Sequence, residues 1–394
     1  MHLFTSSAAL VLVSLVLGAN GAAPPQSTSY ATLLASSAIS RGQGNGLSSS
    51  GAPVDSYEHG TFQRALTRLY EKTGDKKYLD YIKKGIDALV GSDGSVKAYS
   101  LTEYTLDNIK IGDSMVQLAK LTGEAKYKTA ATKLRSQLAT HPRTPSGGFW
   151  HKNIYPNQMW GDGQYMALPF YAAYTSAYQP TNTTAWDDMA LQLKLYDSHS
   201  LQKSTGLLYH GYDELKKAVW ANSVTGASPE VWDRAVGWYS MALVDLLEYW
   251  PTSHPGRATV LSLYRSLVPA LVAAADPTTH AWWLVMSQPG RAQNYIESSG
   301  SAMFVYSILR GLRLGYITDV NGQYKNAAVA AYKYLLNTFV VSASGGLADF
   351  KGTVSVGSLS GAGDYSYYVS QTIVTNDLKG VAAFVLASVE YESL

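Results

Sequence analysis

The chain has 394 residues, a net charge of +2 and only 15% charged residues, so it offers no cationic stripe to track a phosphate backbone, and no nucleic-acid partner is expected. It contains no cysteine, which removes disulfides, thiolate metal sites and cysteine nucleophiles together. Aromatic residues are plentiful, with 29 Tyr and 9 Trp, side chains that stack on sugar-like rings and hydrogen-bond at their edges.

Residues 1–22, MHLFTSSAALVLVSLVLGANGA, read as a secretory signal peptide: an apolar run from Ala8 to Leu17 ends among the small residues Gly18, Ala19, Gly21 and Ala22. That run is too short to span a membrane and nothing later resembles a span, so a secreted protein with no membrane partner is expected. The Asn182-Thr183-Thr184 sequon agrees with that compartment.

Further along, a repeat organises the chain. Leu69–Leu89 and Leu118–Leu138 align without gaps at an offset of 49 residues. In each copy a helix stops at a glycine (Gly74, Gly123), an acidic residue opens the next (Asp75, Glu124), and a tyrosine follows (Tyr78, Tyr127). Weaker echoes lie around Trp186, after Trp250 and around Tyr324. A period near 50 residues signals stacked or ring-closed helical hairpins.

The patterning predicts polar-faced amphipathic helices over about 28–41, 76–90, 125–140, 185–199, 257–274 and 323–340. More apolar helices alternate with them over about 57–73, 104–121, 158–178, 232–250, 299–315 and 376–391, as suits elements buried on most sides. Six outer and six inner helices make an all-α (α/α)6 barrel, one domain over residues 23–394. The segment Gly345–Val374, rich in Gly, Ser, Val and Tyr, is expected as a long loop or short hairpin over one end of the ring.

In such a ring the site belongs where the N-termini of the inner helices and their preceding loops converge. The stretch Ser146–Phe170, SGGFWHKNIYPNQMWGDGQYMALPF, dominates that end. Asn157 reads as an N-cap, and Asp162 is the only charge in the run that follows. On a helix it shares a face with Met159, Tyr165 and Met166. Desolvation there favours the neutral carboxyl, while the helix N-terminus favours the anion. Burial is expected to win in part, leaving an acid that holds a proton at mildly acidic pH. Gly161 and Gly163 are expected to open space for a ligand beside it.

Neighbouring helix starts bring further polar residues to the same end: Tyr57 and Glu58, Asp107, His151 and Lys152 in the loop before Asp162, His210, Arg234 and Trp238 four apart on one face, and Glu297 with Ser298 and Ser299. Singly, each has a plainer reading: Arg234 paired with Glu230 or Asp233, Trp238 in the core, His210 in a turn, Lys152 solvated, Asp107 a cap, Asp162 a satisfied acceptor. Their joint placement favours function.

The strings GGFWHKNIYPNQMWGDGQYMALPF, HGYDE, WDRAVGWYSMALVDLLE, ESSGSAMFVYSILRGLRLGY and NDLKGVAAFVLAS resemble glycoside hydrolase family 105, the unsaturated rhamnogalacturonyl hydrolases, from about Tyr57 to Tyr391. Gly161 and Gln164 stand where the family pattern is commonly apolar, and Ala235-Val236 replace a frequent Gly-Asn. The resemblance implies an (α/α)6 barrel in agreement with the repeat count. It implies Asp162 as proton donor, Asp107 and His210 beside it in catalysis, and Tyr57, His151, Lys152, Arg234 and Trp238 as substrate-binding residues. The implied partner is a small oligosaccharide, an unsaturated uronyl disaccharide, whose vinyl ether is hydrated without displacement at the anomeric carbon. In that reading Arg234 or Lys152 holds the uronate carboxylate and Trp238 stacks beneath a sugar ring. No cofactor is expected, and no metal, because the histidines lack ligand spacing. The alternatives are an unsaturated glucuronyl hydrolase acting on other unsaturated uronides of the ulvan or glycosaminoglycan type, a conventional inverting glycosidase with two carboxylates across a saturated sugar, and a non-catalytic glycan-binding toroid.

Overall fold

The computed structural model describes residues 29–394; the expected signal peptide lies outside them. In chain order the helices are α1 (Tyr30–Ser40), α2 (Tyr57–Thr73), α3 (Lys76–Leu89), α4 (Gly112–Thr122), α5 (Ala125–Thr140), α6 (Gly161–Tyr178), α7 (Thr183–Ser200), α8 (Asp233–Tyr249), α9 (Gly256–Ala273), α10 (Ser298–Arg313), α11 (Gln323–Phe339), α12 (Tyr365–Val369) and α13 (Leu378–Tyr391). Among them α2, α4, α6, α8, α10 and α13 pack side by side in that order, and α13 closes on α2. Each takes one outer helix against it: α3, α5, α7, α9, α11 and, for α13, α1. This is the (α/α)6 barrel.

Burial separates the two sets as their patterning demands. Every residue of α8 from Asp233 to Leu247 is buried. Outer α3 buries only Tyr78, Ile82, Gly85, Ile86 and Leu89, one stripe at helical spacing. The repeat reflects local chemistry. Helices α2 and α4 end on Gly74 (φ 70°) and Gly123 (φ 73°), left-handed positions that glycine adopts without strain. Asp75 then accepts from the Lys77 amide to cap α3.

Short antiparallel ribbons join the helices. β1 (Gln158–Trp160) pairs with β4 (Gly211–Asp213), and β2 (Leu201–Gln202) with β3 (Leu207–Leu208). β5 (Val340–Ser342) pairs with β6 (Ala348–Phe350), and β7 (Thr353–Val354) with β8 (Ile373–Val374). The segment expected as a loop or hairpin is therefore a hairpin base, β7 and β8, with α12 carried between its arms.

Two helix starts differ from expectation. α4 begins at Gly112, with a 3₁₀ turn at Asp107–Ile109 before it, because the preceding backbone is drawn sideways: Thr105 bridges Lys152, and the Leu106 amide donates to the His151 carbonyl at 3.1 Å. α6 begins at Gly161, not near Gln158, because β1 spends the intervening backbone groups on β4, with Met159 opposite Tyr212. Asn157 is no cap but a left-handed turn residue (φ 62°), and Met159 shares no helix face with Asp162.

Candidate active site

Asp162 lies in the first turn of α6 with 14% of its side chain exposed. Its Oδ2 is 2.9 Å from His210 Nε2, and His210 Nδ1 is 2.6 Å from the Tyr368 hydroxyl. Burial pushes the Tyr368 hydroxyl well above its usual range, so it keeps its proton. Among the described residues His210 is its only hydrogen-bond partner, so the buried hydroxyl donates to Nδ1. The imidazole then carries its proton on Nε2 and donates to Asp162 Oδ2. Oδ1 of Asp162 has no protein partner among the described residues. His210 is held by its own backbone, with its amide on the Glu230 carbonyl at 3.2 Å and its carbonyl on the Gly161 amide at 2.9 Å.

Asp107, on the 3₁₀ turn, forms a second centre. Lys152 Nζ is 2.6 Å from its Oδ2 and His151 Nε2 is 3.8 Å from its Oδ1. Burial works against the Lys152 charge, but the Asp107 carboxylate outweighs it, and the ammonium is held above its usual range. His151 is pushed well below its usual range, first by burial and then by the Lys152 charge, so it is neutral. Its ring stacks on Trp160 at 4.4 Å, and Trp160 stacks on Tyr155 at 4.7 Å, which builds an aromatic wall between the two carboxylates. The Tyr57 hydroxyl, raised chiefly by burial, feels Glu58, Asp107 and Asp162, so Tyr57 belongs to the same cup.

The glycines flanking Asp162 do not open space. A Cβ on Gly161 would sit 2.5 Å from the Tyr196 hydroxyl and 2.7 Å from the Ala235 carbonyl. One on Gly163 would sit 3.0 Å from Leu106 and 3.2 Å from His151 Nδ1. They allow α6 to press its first turn against α8 and the His151 loop, which aims the carboxylate.

Two expected substrate contacts stand one layer back. Trp238 is 1% exposed, stacked on Tyr165 at 5.1 Å and met edge-on by Tyr57 at 6.3 Å, so it supports Tyr57 and has no free face for a sugar. Arg234, also 1% exposed, pairs with neither Glu230 nor Asp233. Its Nη1 donates to the Val354 carbonyl at 2.6 Å and to Ser299 Oγ at 3.2 Å, and its Nη2 donates to the Ser355 carbonyl. The guanidinium holds the β7 strap, whereas the Lys152 side chain is 30% exposed. Tyr368 and Tyr155 were missed by sequence reasoning: Tyr368 is 158 residues from His210, and only the DYSYY run in an otherwise small-residue segment hinted at it.

With this geometry in hand, the comparisons are specific. The family model described as Glycosyl Hydrolase Family 88 matches residues 39–394. A C. acetobutylicum glycoside hydrolase from family 105 is 39% identical and superposes with a TM-score of 0.87 over 93% of this chain and 100% of that one. The chain belongs to the family 88/105 glycoside hydrolases. A possible family 105 member from Salmonella enterica, 19% identical with a TM-score of 0.75 over 94% of this chain and 96% of that one, shares the fold. Protein Atu3128 of Agrobacterium fabrum is 37% identical over 195 residues, 47% of this chain and 82% of that protein. In this family 88/105 hydrolase, then, the same end of the barrel presents two carboxylates in unlike settings: Asp107 paired with Lys152, and Asp162 held by His210 with one oxygen free among the described residues.

Proposed function

We propose that this glycoside hydrolase removes a 4,5-unsaturated uronic acid from the nonreducing end of rhamnogalacturonan lyase products. The observation that carries the reading is the Tyr368–His210–Asp162 line, which fixes one carboxyl oxygen and leaves the other facing the cup. An acid so oriented can deliver a proton to C4 of the vinyl ether, leaving an oxocarbenium-like C5. Water adds at C5, giving its proton to Asp162 or to Asp107. The hemiketal then opens to the C5 ketone, and the resulting C1 hemiacetal releases the aglycone as an alcohol. Asp107 works with His151 and Lys152, not with His210 as the sequence suggested. Lys152, a flexible cation at the cup, holds the uronate carboxylate.

The test follows the loss of ultraviolet absorbance as the double bond is consumed, with unsaturated disaccharides from rhamnogalacturonan, ulvan and glycosaminoglycan digests side by side. Fastest consumption is expected on the rhamnogalacturonan product. Cleavage of saturated glycosides with no change in absorbance would overturn the reaction, and a preference for another unsaturated uronide would overturn the substrate.

A further inference from the structure

We propose that Glu297, with Ser299, is a positioning residue for the Asp162–His210 pair, acting at a distance through the strap that carries Tyr368. The inference rests on the reading above, in which those two side chains perform the chemistry. Glu297 touches neither of them. It is fully buried at the N-cap of α10, where its carboxylate accepts from the Gly300 amide at 2.8 Å and from Ser299 Oγ at 2.9 Å. Its remaining capacity is spent on the strap: the Val354 amide donates to Oε1 at 2.9 Å. Arg234 takes the carbonyl of the same residue at 2.6 Å, and Ser299 Oγ links the two charges. Val354 is thus gripped at both of its backbone polar groups by two buried side chains that Ser299 joins, an arrangement far stiffer than a two-residue ribbon can be alone. Next to it Ser298 Oγ meets Thr353 Oγ1 at 2.8 Å and the Ser298 amide meets the Gly352 carbonyl at 3.1 Å.

A second buried carboxyl completes the clasp. Asp233 is wholly buried, both its oxygens lack a hydrogen-bond partner among the described residues, and a Cβ on Gly300 would lie 2.3 Å from its Oδ2. Burial, then the Glu297 charge, push it well above the usual carboxylate range, so it is neutral.

From Val354 the strap crosses to α12, where Tyr368 stacks on Trp232 at 5.7 Å and donates to His210 Nδ1. Arg234 lies 4.8 Å over the same Trp232 ring. Two further anchors, the Trp220 indole on the Leu359 carbonyl and the Tyr365 hydroxyl on the Ala292 carbonyl, each at 2.7 Å, keep α12 near the barrel if the clasp is loosened. Loosening it should thus shift Tyr368 without unfolding the chain, and a shift of about 1 Å at a catalytic group costs up to about a hundredfold in rate.

The test compares Glu297→Gln, Tyr368→Phe and the double variant by kcat, KM and hydrogen exchange of residues 353–369. Each single change should lower kcat about ten- to hundredfold with KM within about threefold. The double variant should fall no more than about twofold below the worse single one, because both remove the same link. Exchange in α12 should quicken in Glu297→Gln. Multiplying losses, or quickened exchange with unchanged kcat, would overturn the proposal. If the wild type consumes no unsaturated uronide the reaction falls, yet exchange still decides the link: α12 amides as protected in Glu297→Gln as in wild type would refute it. Should Glu297→Gln not fold, Ser299→Ala carries the same measurements.

Discussion

At the end of the ring remote from Asp162, Arg64 and Arg68 of α2, Asp245 and Glu248 of α8, Arg310 of α10 and Glu390 of α13 meet below the last turns of the inner helices. Arg64 Nη2 reaches Glu248 at 2.9 Å, Arg310 Nη1 reaches Glu390 at 2.7 Å, and the Tyr306 hydroxyl donates to Asp245 at 2.6 Å. Burial would raise the Asp245 carboxyl, but Arg64, Arg68 and Arg310 together hold it below the usual range. At the Asp162 end the carboxyl meets the His210 imidazole on one oxygen and, among the described residues, nothing on the other. Both ends bury acids, and both incur desolvation. The remote end offsets that cost with several charge pairs, which suits stability, whereas the Asp162 end leaves one carboxyl oxygen open among the described residues, which suits the proposed chemistry.

That contrast can be broken from either side. Asp162→Asn should lower turnover about 10²–10⁴-fold with an unchanged melting temperature, because it removes a proton and no packing; near-normal turnover would dismiss Asp162 as the donor. Asp245→Asn should do the reverse, costing about 3–5 kcal/mol in urea unfolding by leaving a buried excess of positive charge among Arg64, Arg68 and Arg310, while the folded fraction keeps its KM. Because the folded state holds Asp245 low, its contribution is present above the unfolded carboxylate value and lost in acid, so the gap between variant and wild type should narrow below about pH 4.

A smaller change sharpens the catalytic side. Lys152→Met should raise KM about tenfold for the uronate and little for its methyl ester; an equal rise for both would place the carboxylate elsewhere. The smallest effect belongs to Asp55, just before α2. Burial, helped by Glu103 and opposed by a backbone hydrogen bond, pushes its carboxyl up to about 6. Its ionisation costs folded stability as pH rises from the unfolded value through 6. Asp55→Asn should therefore stabilise the protein by about 1–2 kcal/mol at pH 7 and by almost nothing at pH 4, read as melting temperatures at both.

The barrel was legible because hydrophobic periodicity is local. Both halves of the Leu69–Leu89 and Leu118–Leu138 repeat end and restart on the residues that close one helix and open the next, and the remaining hairpins keep the apolar periodicity with other caps. The starts of α4 and α6 were misjudged for a tertiary reason: ribbons to His151–Lys152 and to β4 take backbone groups that the local sequence would give to a helix. Gathering Tyr57, Asp107, His151, Lys152 and Asp162 at one end was likewise readable, since each lies at an inner-helix start or in the loop leading to it, whereas His210 reaches that end through the β1–β4 ribbon.

By itself, then, the sequence determined the all-helical ring, its inner and outer sets, and the end at which the carboxylates gather, because apolar spacing and capping act within a few residues. The tertiary structure alone decided which partner each charged group takes. It gave Arg234 to the strap instead of the substrate, buried Trp238 behind Tyr57, and brought Tyr368 across 158 residues to His210. Hydrogen bonds and ion pairs are won by whichever group the packed backbone brings within about 3 Å, and no local pattern encodes that competition.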